Sequence, residues 1–522
     1  MNKKIFPLLF FLLAWLWASW WMGDVMRIAY ERSFIAADAT LMLWLWQKFL
    51  GWLWVLGRAL LALYRWPVVG GLFVAAMLTV GSWLVGVCLR LPQRWRWVQY
   101  LPAVCWMTWT AKEGLNLFYM NEPGRVLGVP FLVLVILAVL AGIEKRLSPR
   151  PPYQGGSGHC SGTENKQRSI SKVFTPSLIG RAGGESFLIF LCFALPAYYL
   201  NYCHPYLRPL TKMQVQLLND DFEGISRTAH EHAEMSYRPM AGFYAIALAR
   251  TGHLADQLFD IKLEFDSLHT YGRNGEPNEC MNYHIIDCNY YAGLVRAARH
   301  YAVEDLTMNG PSLFNLKYMV KISLVEGDWA LAHKYLHVLR QAPFEGAFIE
   351  KYEPMVGHPD RVQADPEFAA VIKMLPTYHT LEQMHVKPGF LGYYVDLREF
   401  QNPEAMEWSA VACLYAKRMP SFLQRCKGYL GSMPPRFIAE GLIIKAYSEP
   451  AILQAFPQLE LGINRYELFM QDAMPYMDDR ERGGEVLFEK YKGYYPYYYF
   501  FGNIRSTRSP NEEQGHNRAG VN

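Results

Sequence analysis

The stretch PSLFNLKYMVKISLVEGDWALAHKYLHVLRQAPF, residues 311–344, predicts two amphipathic helices joined by a short turn. Gly327 supplies the turn between them. Trp329, Ala332 and Leu336 then follow at helical spacing, and the small side chain of Ala332 allows the two helices to approach closely. We therefore predict that a helical pair is packed by Gly327, Trp329, Ala332 and Leu336.

This unit has about the length of a tetratricopeptide repeat, and Asp328 is placed to cap its second helix. Looser two-helix units are visible at residues 213–235, 242–261 and 408–430. Such units bury their apolar faces by stacking on their neighbours, and the stack curves into a concave surface. We predict that residues 207–503 form a tetratricopeptide-like α-solenoid.

The N-terminal part of the chain contains apolar runs that are long enough to cross a membrane, which takes roughly 20 residues. The strong candidates are residues 5–23, 68–89, 126–143 and 187–203. The run 97–120 is weaker, because Lys112 and Glu113 interrupt it, and we favour a boundary position for these two charges. The predicted fold class is therefore all-α. It consists of a transmembrane helix bundle in residues 1–143 and a last transmembrane helix in residues 185–206, followed by the solenoid.

Residues 41–66 form a different kind of segment. At 100° per residue, Gln47, Arg58 and Arg65 would lie on one polar stripe of a helix. Several tryptophans accompany them, as is typical of a membrane interface. We predict a helix that lies on the membrane surface or dips into it.

The distribution of basic residues predicts the orientation, because cytoplasmic loops are enriched in Lys and Arg. The linker 144–184 is the most basic connection in the chain, and its Pro, Gly and Ser content predicts disorder. A cytoplasmic linker places the C-terminal half on the opposite, periplasmic side of the cell inner membrane. The polar tail 504–522 has no packing pattern, and we expect it to be disordered.

Composition argues against several classes of function. The net charge of +4 is too small to indicate a nucleic-acid partner, and no basic cluster interleaved with aromatics occurs in the C-terminal half. The nine cysteines have no paired rhythm, so they do not predict a disulfide framework. The sequence contains no motif that predicts a cofactor.

Two histidine-containing stretches are candidate metal sites. Cys280, His284 and Cys288 are spaced by four residues and would form one stripe on a helix, although a fourth zinc ligand is not evident. We therefore favour helix packing over metal binding for this stripe. His230 and His232 are two residues apart and would point in nearly opposite directions on a helix, which predicts a solvated face.

A catalytic alternative rests on three acidic residues. Asp24, Glu31 and Asp38 lie in the predicted first external loop, where membrane transferases that use lipid-linked sugars often place a catalytic acid. Solvated loop carboxylates are the simpler interpretation. The sequence has no HExxH motif, nucleophile elbow or Gly-rich phosphate loop in a strand–helix setting.

The C-terminal stretch EKYKGYYPYYYFFGN, residues 489–503, is crowded with aromatic residues. Such rings could stack on sugars, rest on a membrane or close a folded core. A terminal repeat must shield an apolar end, and tyrosine rings can do so while their hydroxyl groups stay in water. We predict a core or capping role.

The whole arrangement resembles an uncharacterised family of multispanning membrane proteins from Gram-negative bacteria, a family defined by a domain of unknown function. The resemblance rests on residues 63–80, residues 315–339 and the aromatic stretch. It implies an inner-membrane protein with an extracytoplasmic repeat domain. It implies no activity, so it assigns no catalytic residue.

We therefore expect a non-enzymatic multipass membrane protein that presents a helical-repeat scaffold in the cell envelope. Its expected partners are the lipid bilayer and a protein or peptide that binds the repeat domain. The alternative is an envelope transferase for glycosyl or lipid-linked substrates.

Overall fold

The structure is a computed structural model that describes residues 5–91, 93–119, 122–147, 205–235, 238–263, 285–376, 391–396 and 402–502, with a few isolated positions. Within these residues every element of regular structure is a helix, which confirms the predicted all-α class. The chain divides into two compact units. The N-terminal unit comprises residues 1–35 and 39–205, and the C-terminal unit comprises residues 36–38 and 206–522.

The α-helices of the N-terminal unit are Ile5–Leu16 (α1), Gly23–Glu31 (α2), Leu43–Trp46 (α3), Gly51–Leu61 (α4), Pro67–Cys88 (α5), Leu101–Glu113 (α6), Asn116–Tyr119 (α7) and Arg125–Leu147 (α8). A π-helical turn spans Trp17–Trp21, and 3-10 turns span Ala39–Met42, Ala62–Arg65 and Gln93–Tyr100. Helix α5 packs against both α1 and α8, and α8 also packs against α4.

Two helices in the described part of this unit are long and apolar enough to cross a membrane, Pro67–Cys88 and the part of α8 at Arg125–Ile143. Both coincide with predicted spans. The first predicted span, residues 5–23, ends at a bend of 63° between Phe6–Trp21 and Gly23–Glu31, and this bent pair would be a third crossing if it were one span. The predicted span 187–203 lies outside the described residues, apart from isolated positions.

The predicted span 97–120 is not a single helix. Helix α6 ends at Glu113, because Gly114 takes a positive φ of 52° and breaks the helix there. Lys112 and Glu113 therefore lie in the last turn of a helix that is too short to cross a bilayer. Their side chains are partly exposed, with 3.7 Å between Nζ and Oε1.

The predicted surface helix 41–66 is also interrupted. Leu50 has a left-handed φ of 56°, so the helical phase is lost between α3 and α4. Gln47 is exposed, whereas the Arg58 side chain is only 1% exposed. The predicted polar stripe therefore does not form. It required one continuous helix, but the helix is interrupted at Leu50, between Gln47 and Arg58.

The burial of Arg58 is compensated by a carboxylate. Its Nε lies 2.6 Å from Glu122 Oε1, and its Nη1 donates to Phe34 O at 3.4 Å. Lys48 Nζ is 3.4 Å from the other oxygen of Glu122. The Arg58 guanidinium also lies 5.0 Å from the centre of the Trp44 ring. A charge removed from water is tolerated only when it is paired in this way.

The predicted linker and tail fall mostly outside the described residues. Helix α8 continues to Leu147, so the first positions of the predicted linker 144–184 are helical. Residues 148–184 and the tail 504–522 lie outside the described residues.

The α-helices of the C-terminal unit are Leu207–Leu218 (α9), Phe222–Glu231 (α10), Arg238–Thr251 (α11), Leu254–Gln257 (α12), Ile285–Tyr291 (α13), Val295–Asn309 (α14), Leu313–Glu326 (α15), Trp329–Arg340 (α16), Gly346–Tyr352 (α17), Pro359–Ala364 (α18), Pro366–Lys373 (α19), Leu391–Asp396 (α20), Pro403–Tyr415 (α21), Met419–Cys426 (α22), Arg436–Ala446 (α23), Ala451–Ala455 (α24), Glu460–Ala473 (α25), Arg480–Tyr491 (α26) and Tyr495–Phe501 (α27). Short 3-10 turns span Leu258–Asp260, Glu353–Met355, Lys427–Tyr429, Pro457–Leu459 and Met474–Tyr476.

The pair formed by α15 and α16 illustrates how this unit is built. Gly327 ends α15 with a left-handed φ of 73°, and the Asp328 carboxylate accepts a hydrogen bond from Leu331 N at the start of α16. Ala332 and Leu336 are buried between the helices. Trp329 is only partly buried. The turn glycine and the capping aspartate that the sequence predicts therefore mark the end of α15 and the start of α16.

Packing in this unit also joins helices that are distant in the chain. The Phe259 ring lies 4.9 Å from the ring of Phe437, 5.0 Å from that of Tyr495 and 4.6 Å from that of Tyr498. In a simple solenoid each repeat contacts only its neighbours. Here the last helix returns to the beginning of the unit.

Candidate functional site

A cavity of about 720 Å³ lies in the C-terminal unit where its early and late helices meet. Its walls come from the end of α10, the turn Leu258–Asp260 with the residues after it, and the helices α26 and α27. The charged and imidazole side chains that line it are His230, Glu231, His232, Glu234, Asp260, Lys262 and Lys492. The volume falls in the range of ligand-binding pockets.

Two histidines reach this cavity from the end of α10. The helix ends at Glu231, and His232 has a φ of −127°, outside the helical range. His230 and His232 therefore both line the cavity. The prediction of opposite directions assumed that the helix continues past both residues, which it does not. His230 is nevertheless exposed, as expected for a solvated face, and His232 is half-buried.

The hydrogen bonds of the histidines assign their tautomers. The hydroxyl of Tyr244 donates its single proton to Gln257 O at 2.7 Å, so His230 Nε2, 2.8 Å away, must donate to Tyr244 Oη. His232 Nδ1 lies 3.0 Å from Thr228 O, which can only accept. In the neutral rings, His230 Nδ1 and His232 Nε2 consequently carry lone pairs.

Arg436 joins the segments that form the cavity. Its Nη1 donates to Asp260 Oδ1 at 3.0 Å and to Asp256 O at 3.3 Å, and its Nη2 donates to Gly493 O. Its Nε lies 3.4 Å from Glu440 Oε1. One guanidinium thus connects residues 256–260 to the first turn of α23 and to the turn before α27.

Asp260 is a half-buried carboxylate of the cavity wall. Burial raises its pKa above the usual range, and the nearby Arg436 guanidinium opposes the effect without cancelling it. Arg436 binds Oδ1, whereas Oδ2 accepts no hydrogen bond among the described residues. The carboxylate therefore keeps a free acceptor in the wall of the cavity.

Gly493 makes the approach to Asp260 possible. It has a φ of 74°, and a Cβ atom at this position would lie 2.9 Å from Asp260 Oδ1. Only glycine adopts this backbone conformation at low cost while leaving room for the carboxylate. Gly493 in the aromatic stretch is thus required by the geometry of the cavity.

The tyrosines of the aromatic stretch belong to the core, as predicted. Tyr495 is fully buried, and its hydroxyl donates to Leu414 O at 3.0 Å. Tyr497 and Tyr498 donate to Gly484 O at 2.7 Å and to Tyr415 O at 2.8 Å. Tyr497 and Tyr498 also line the cavity, but the two residues are only 8% and 7% exposed. This arrangement does not favour sugar stacking, which needs an open face.

A second polar cluster surrounds Glu367 on α19. Its Oε1 lies 2.8 Å from Lys321 Nζ and accepts from Tyr290 Oη at 3.0 Å. Its Oε2 accepts from Tyr352 Oη at 2.9 Å. Burial alone would raise the pKa of Glu367, but the Lys321 ammonium and the tyrosine hydroxyl outweigh it and lower the pKa. This cluster is satisfied by its own members and joins α13, α15, α17 and α19.

Comparison with protein-family models assigns the chain to a family. Residues 1–502 match the model described as "Family of unknown function (DUF6057)". The chain belongs to this family. The match confirms the expected resemblance to a family of unknown function. Neither the curated proteins nor the solved structures include a match to the chain.

The predicted metal stripe of this DUF6057 chain is only partly within the described residues. Cys280 and His284 lie outside them. Cys288 is buried in α13, and burial raises the pKa of its thiol well above the usual value. Among the described residues, no three His, Cys, Asp or Glu side chains are grouped so that they could hold a metal ion.

The three acidic residues of the catalytic alternative are not arranged as a loop cluster. Asp24 and Glu31 lie at opposite ends of helix α2, two turns apart, which separates them by about 10 Å along the axis. The predicted external loop is therefore helical over this range. Asp38 belongs to the C-terminal unit.

Sequence reasoning did not predict the cavity, although two signals in the DUF6057 sequence relate to it. Gly493 interrupts the aromatic stretch, and a glycine at such a position is typical of a turn. His230 and His232 lie where the helical pattern ends. Neither signal identifies Asp260 or Arg436 as neighbours, because these residues are far apart in the chain.

Proposed function

We propose that this protein is a non-enzymatic multipass membrane protein whose C-terminal unit is a helical scaffold that binds a protein or peptide partner in the cell envelope. One observation carries the proposal. An open cavity with charged groups of both signs is built jointly by the first and last parts of the scaffold. A rim of this kind suits a polypeptide segment, which presents both charges and hydrogen-bonding groups.

The tetratricopeptide-like character of the scaffold is part of the proposal. It is supported by successive helices that pack on one another, such as α14, α15 and α16. The Gly327 turn and the Asp328 cap add to this support. The return of α27 to Phe259 modifies the simple repeat stack and creates the binding cavity.

A location in the cell inner membrane with a periplasmic C-terminal unit is likewise proposed. Two apolar helices, and a third if the bent pair is one span, support membrane insertion. Glu122 lies just before α8 and pairs with Lys48 and Arg58 of residues 41–66, the segment that we predict on the membrane surface, and we propose that both lie on the outer side. Alkaline phosphatase fused after residue 502 should be active, whereas an active cytoplasmic reporter at this position would contradict the orientation.

The binding proposal is tested by filling the cavity. Ala233 lies in the cavity wall, and Ala233→Trp would occupy part of its volume. Ala330→Trp is a matched control, because Ala330 is exposed on α16 away from the cavity. Partners recovered with the tagged full chain from native membranes should persist with Ala330→Trp and be lost with Ala233→Trp. The same partners recovered with both variants would overturn the proposed role of the cavity.

The transferase alternative makes a different prediction. It requires Asp24, Glu31 or Asp38 as an acid or base, and Ala substitution of all three should then change the glycan profile of the envelope. An unchanged profile at normal protein level would remove the alternative. The spacing of Asp24 and Glu31 along α2 gives it no support.

A further inference from the structure

We infer that the cavity binds a basic side chain, the ammonium of a lysine or the guanidinium of an arginine, presented by the partner polypeptide. The inference rests on the proposed function and names the chemistry of the same site. It follows from the balance of hydrogen-bond acceptors and donors in the cavity wall.

Acceptors are in excess in the wall. Asp260 Oδ2 accepts no hydrogen bond among the described residues, and Glu234, which interacts electrostatically with Lys492, forms no salt bridge among them. His230 and His232 each use one ring nitrogen as a donor to the protein, so each neutral ring offers a lone pair at the other nitrogen. Glu231 contributes a further carboxylate, 3.4 Å from an exposed lysine, Lys212.

The cationic groups nearby are already engaged. Arg436 donates to Asp260, Glu440 and the backbone. Lys492 Nζ donates to Glu489 Oε2 at 2.8 Å, and Lys262 Nζ lies 6.0 Å from the centre of the Phe488 ring. A ligand that brings hydrogen-bond donors and a positive charge would therefore meet acceptors that lack partners.

The cavity also suits the shape of a long basic side chain. Phe259 and Ile261 give it apolar wall surface next to the Asp260 carboxylate. Lysine and arginine bury their methylene stems against apolar surface while the charged end reaches polar groups. An acidic side chain would instead face Asp260, Glu231 and Glu234, and a purely apolar one would leave the Asp260 oxygen without a donor.

A selection experiment tests this chemistry without knowledge of the natural partner. Short random peptides displayed on phage are selected against the full chain in lipid nanodiscs and counter-selected against Ala233→Trp. We expect the cavity-dependent binders to share a lysine or arginine at one position. Cavity-dependent binders without a basic preference would overturn this inference and leave the proposed function standing. If no binder depended on the cavity, both would fail.

A selected peptide and its twin with Gln in place of the basic residue then quantify the contact. The wild-type chain should bind the basic peptide about tenfold more tightly than its twin, as expected for a charge pair in a partly desolvated site. Asp260→Asn and Glu234→Gln should each reduce this preference, whereas Glu485→Gln, an exposed site on α26 that does not line the cavity, should retain it. Because Asp260→Asn also removes the negative charge that pairs with Arg436, the exposed Glu234 provides a second variant that leaves this ion pair intact. An unchanged preference in both cavity variants would overturn the inference.

Discussion

Arg58 of the N-terminal unit and Arg436 of the C-terminal unit both connect segments that are distant in sequence, but their surroundings differ. The Arg58 side chain is 1% exposed and lies 2.6 Å from Glu122. The Arg436 side chain is 39% exposed and lies 3.0 Å from Asp260 and 3.4 Å from Glu440. Arg58 thus belongs to a charge pair buried among apolar helices, whereas Arg436 places its charge at a boundary with solvent.

The difference determines what each charge can do. A buried pair is costly to break, because the remaining charge has no access to water. A half-exposed network tolerates change and can exchange partners with a ligand. We therefore expect substitutions in the N-terminal unit to affect mainly stability, and substitutions around the cavity to affect binding as well.

The strongest test of this comparison is Arg58→Ala. It leaves Glu122 with Lys48 at 3.4 Å as a weaker partner, and we expect a loss of about 3–5 kcal/mol, as for other broken buried pairs. Thermal unfolding of the full chain in detergent measures the loss. Arg27→Ala, at an exposed position on α2, is the control and should change little. Equal effects of the two substitutions would contradict the role of burial.

The next largest effect is expected at Glu367. Glu367→Gln should cost about 2–3 kcal/mol near neutral pH, because Lys321 loses a charged partner and two tyrosine hydroxyls lose a charged acceptor. The pKa of Glu367 is lowered, so its contribution is present above the ordinary pKa of a glutamate. The contribution is lost as the pH falls through the lowered value.

Unfolding of the full chain as a function of pH checks this prediction. On acidification the wild-type protein should lose the stability that the Glu367 carboxylate contributes. Glu367→Gln lacks this contribution at every pH, so the free energies of unfolding of the two proteins should converge at low pH. Glu350→Gln, an exposed site on α17, is the control and should follow wild type. Parallel curves for wild type and Glu367→Gln would show that the carboxylate charge is not what stabilises the cluster.

A smaller effect is expected from Gly493→Ala. The new Cβ would lie 2.9 Å from Asp260 Oδ1, and the backbone has a φ of 74°. We expect a loss of about 1–3 kcal/mol together with weaker binding at the cavity. Gly431→Ala is a matched control, since Gly431 has a φ of 80° and open space around it. A loss no greater than that of the control would mean that the Asp260 contact is unimportant.

The smallest effect is expected at Glu407 on α21. Burial, together with nearby Asp256 and Glu404, raises the pKa of Glu407 to about 7. A raised carboxyl pKa means that stability falls as the pH rises from about 4.5 to 7, because the folded state holds the proton more tightly. Since the side chain is partly exposed, Glu407→Gln should stabilise the protein by only about 1 kcal/mol at pH above this window.

The stabilisation by Glu407→Gln should disappear below the window, where wild-type Glu407 is protonated. Denaturation midpoints on both sides of it measure the change, with Glu350→Gln again as the control. A variant that is destabilised at every pH would contradict the raised pKa. Together with Glu367→Gln, this experiment compares two glutamates of one unit that differ in whether cations or carboxylates surround them.

Local patterns predicted the parts of the fold that depend on neighbours in the chain. The Gly327 turn and the Asp328 cap are formed by residues that are close in sequence, so their positions follow from residue type. Helix α5 follows from an uninterrupted apolar run. The same method failed at residues 41–66, because periodicity does not detect the left-handed backbone at Leu50.

The sequence by itself determined that the chain is helical, where several helices begin and end, and which helices are apolar enough to enter a membrane. Only the tertiary structure decided that α27 returns to Phe259, that both histidines at the end of α10 reach one cavity, and that Arg436 binds Asp260 beside Gly493. The physical reason is that caps, turns and apolar periods act over one or two helical turns. The contacts of Asp260 with Arg436 and of Phe259 with Tyr495 instead join residues 176 and 236 positions apart, and their pairing depends on the packing of the whole unit.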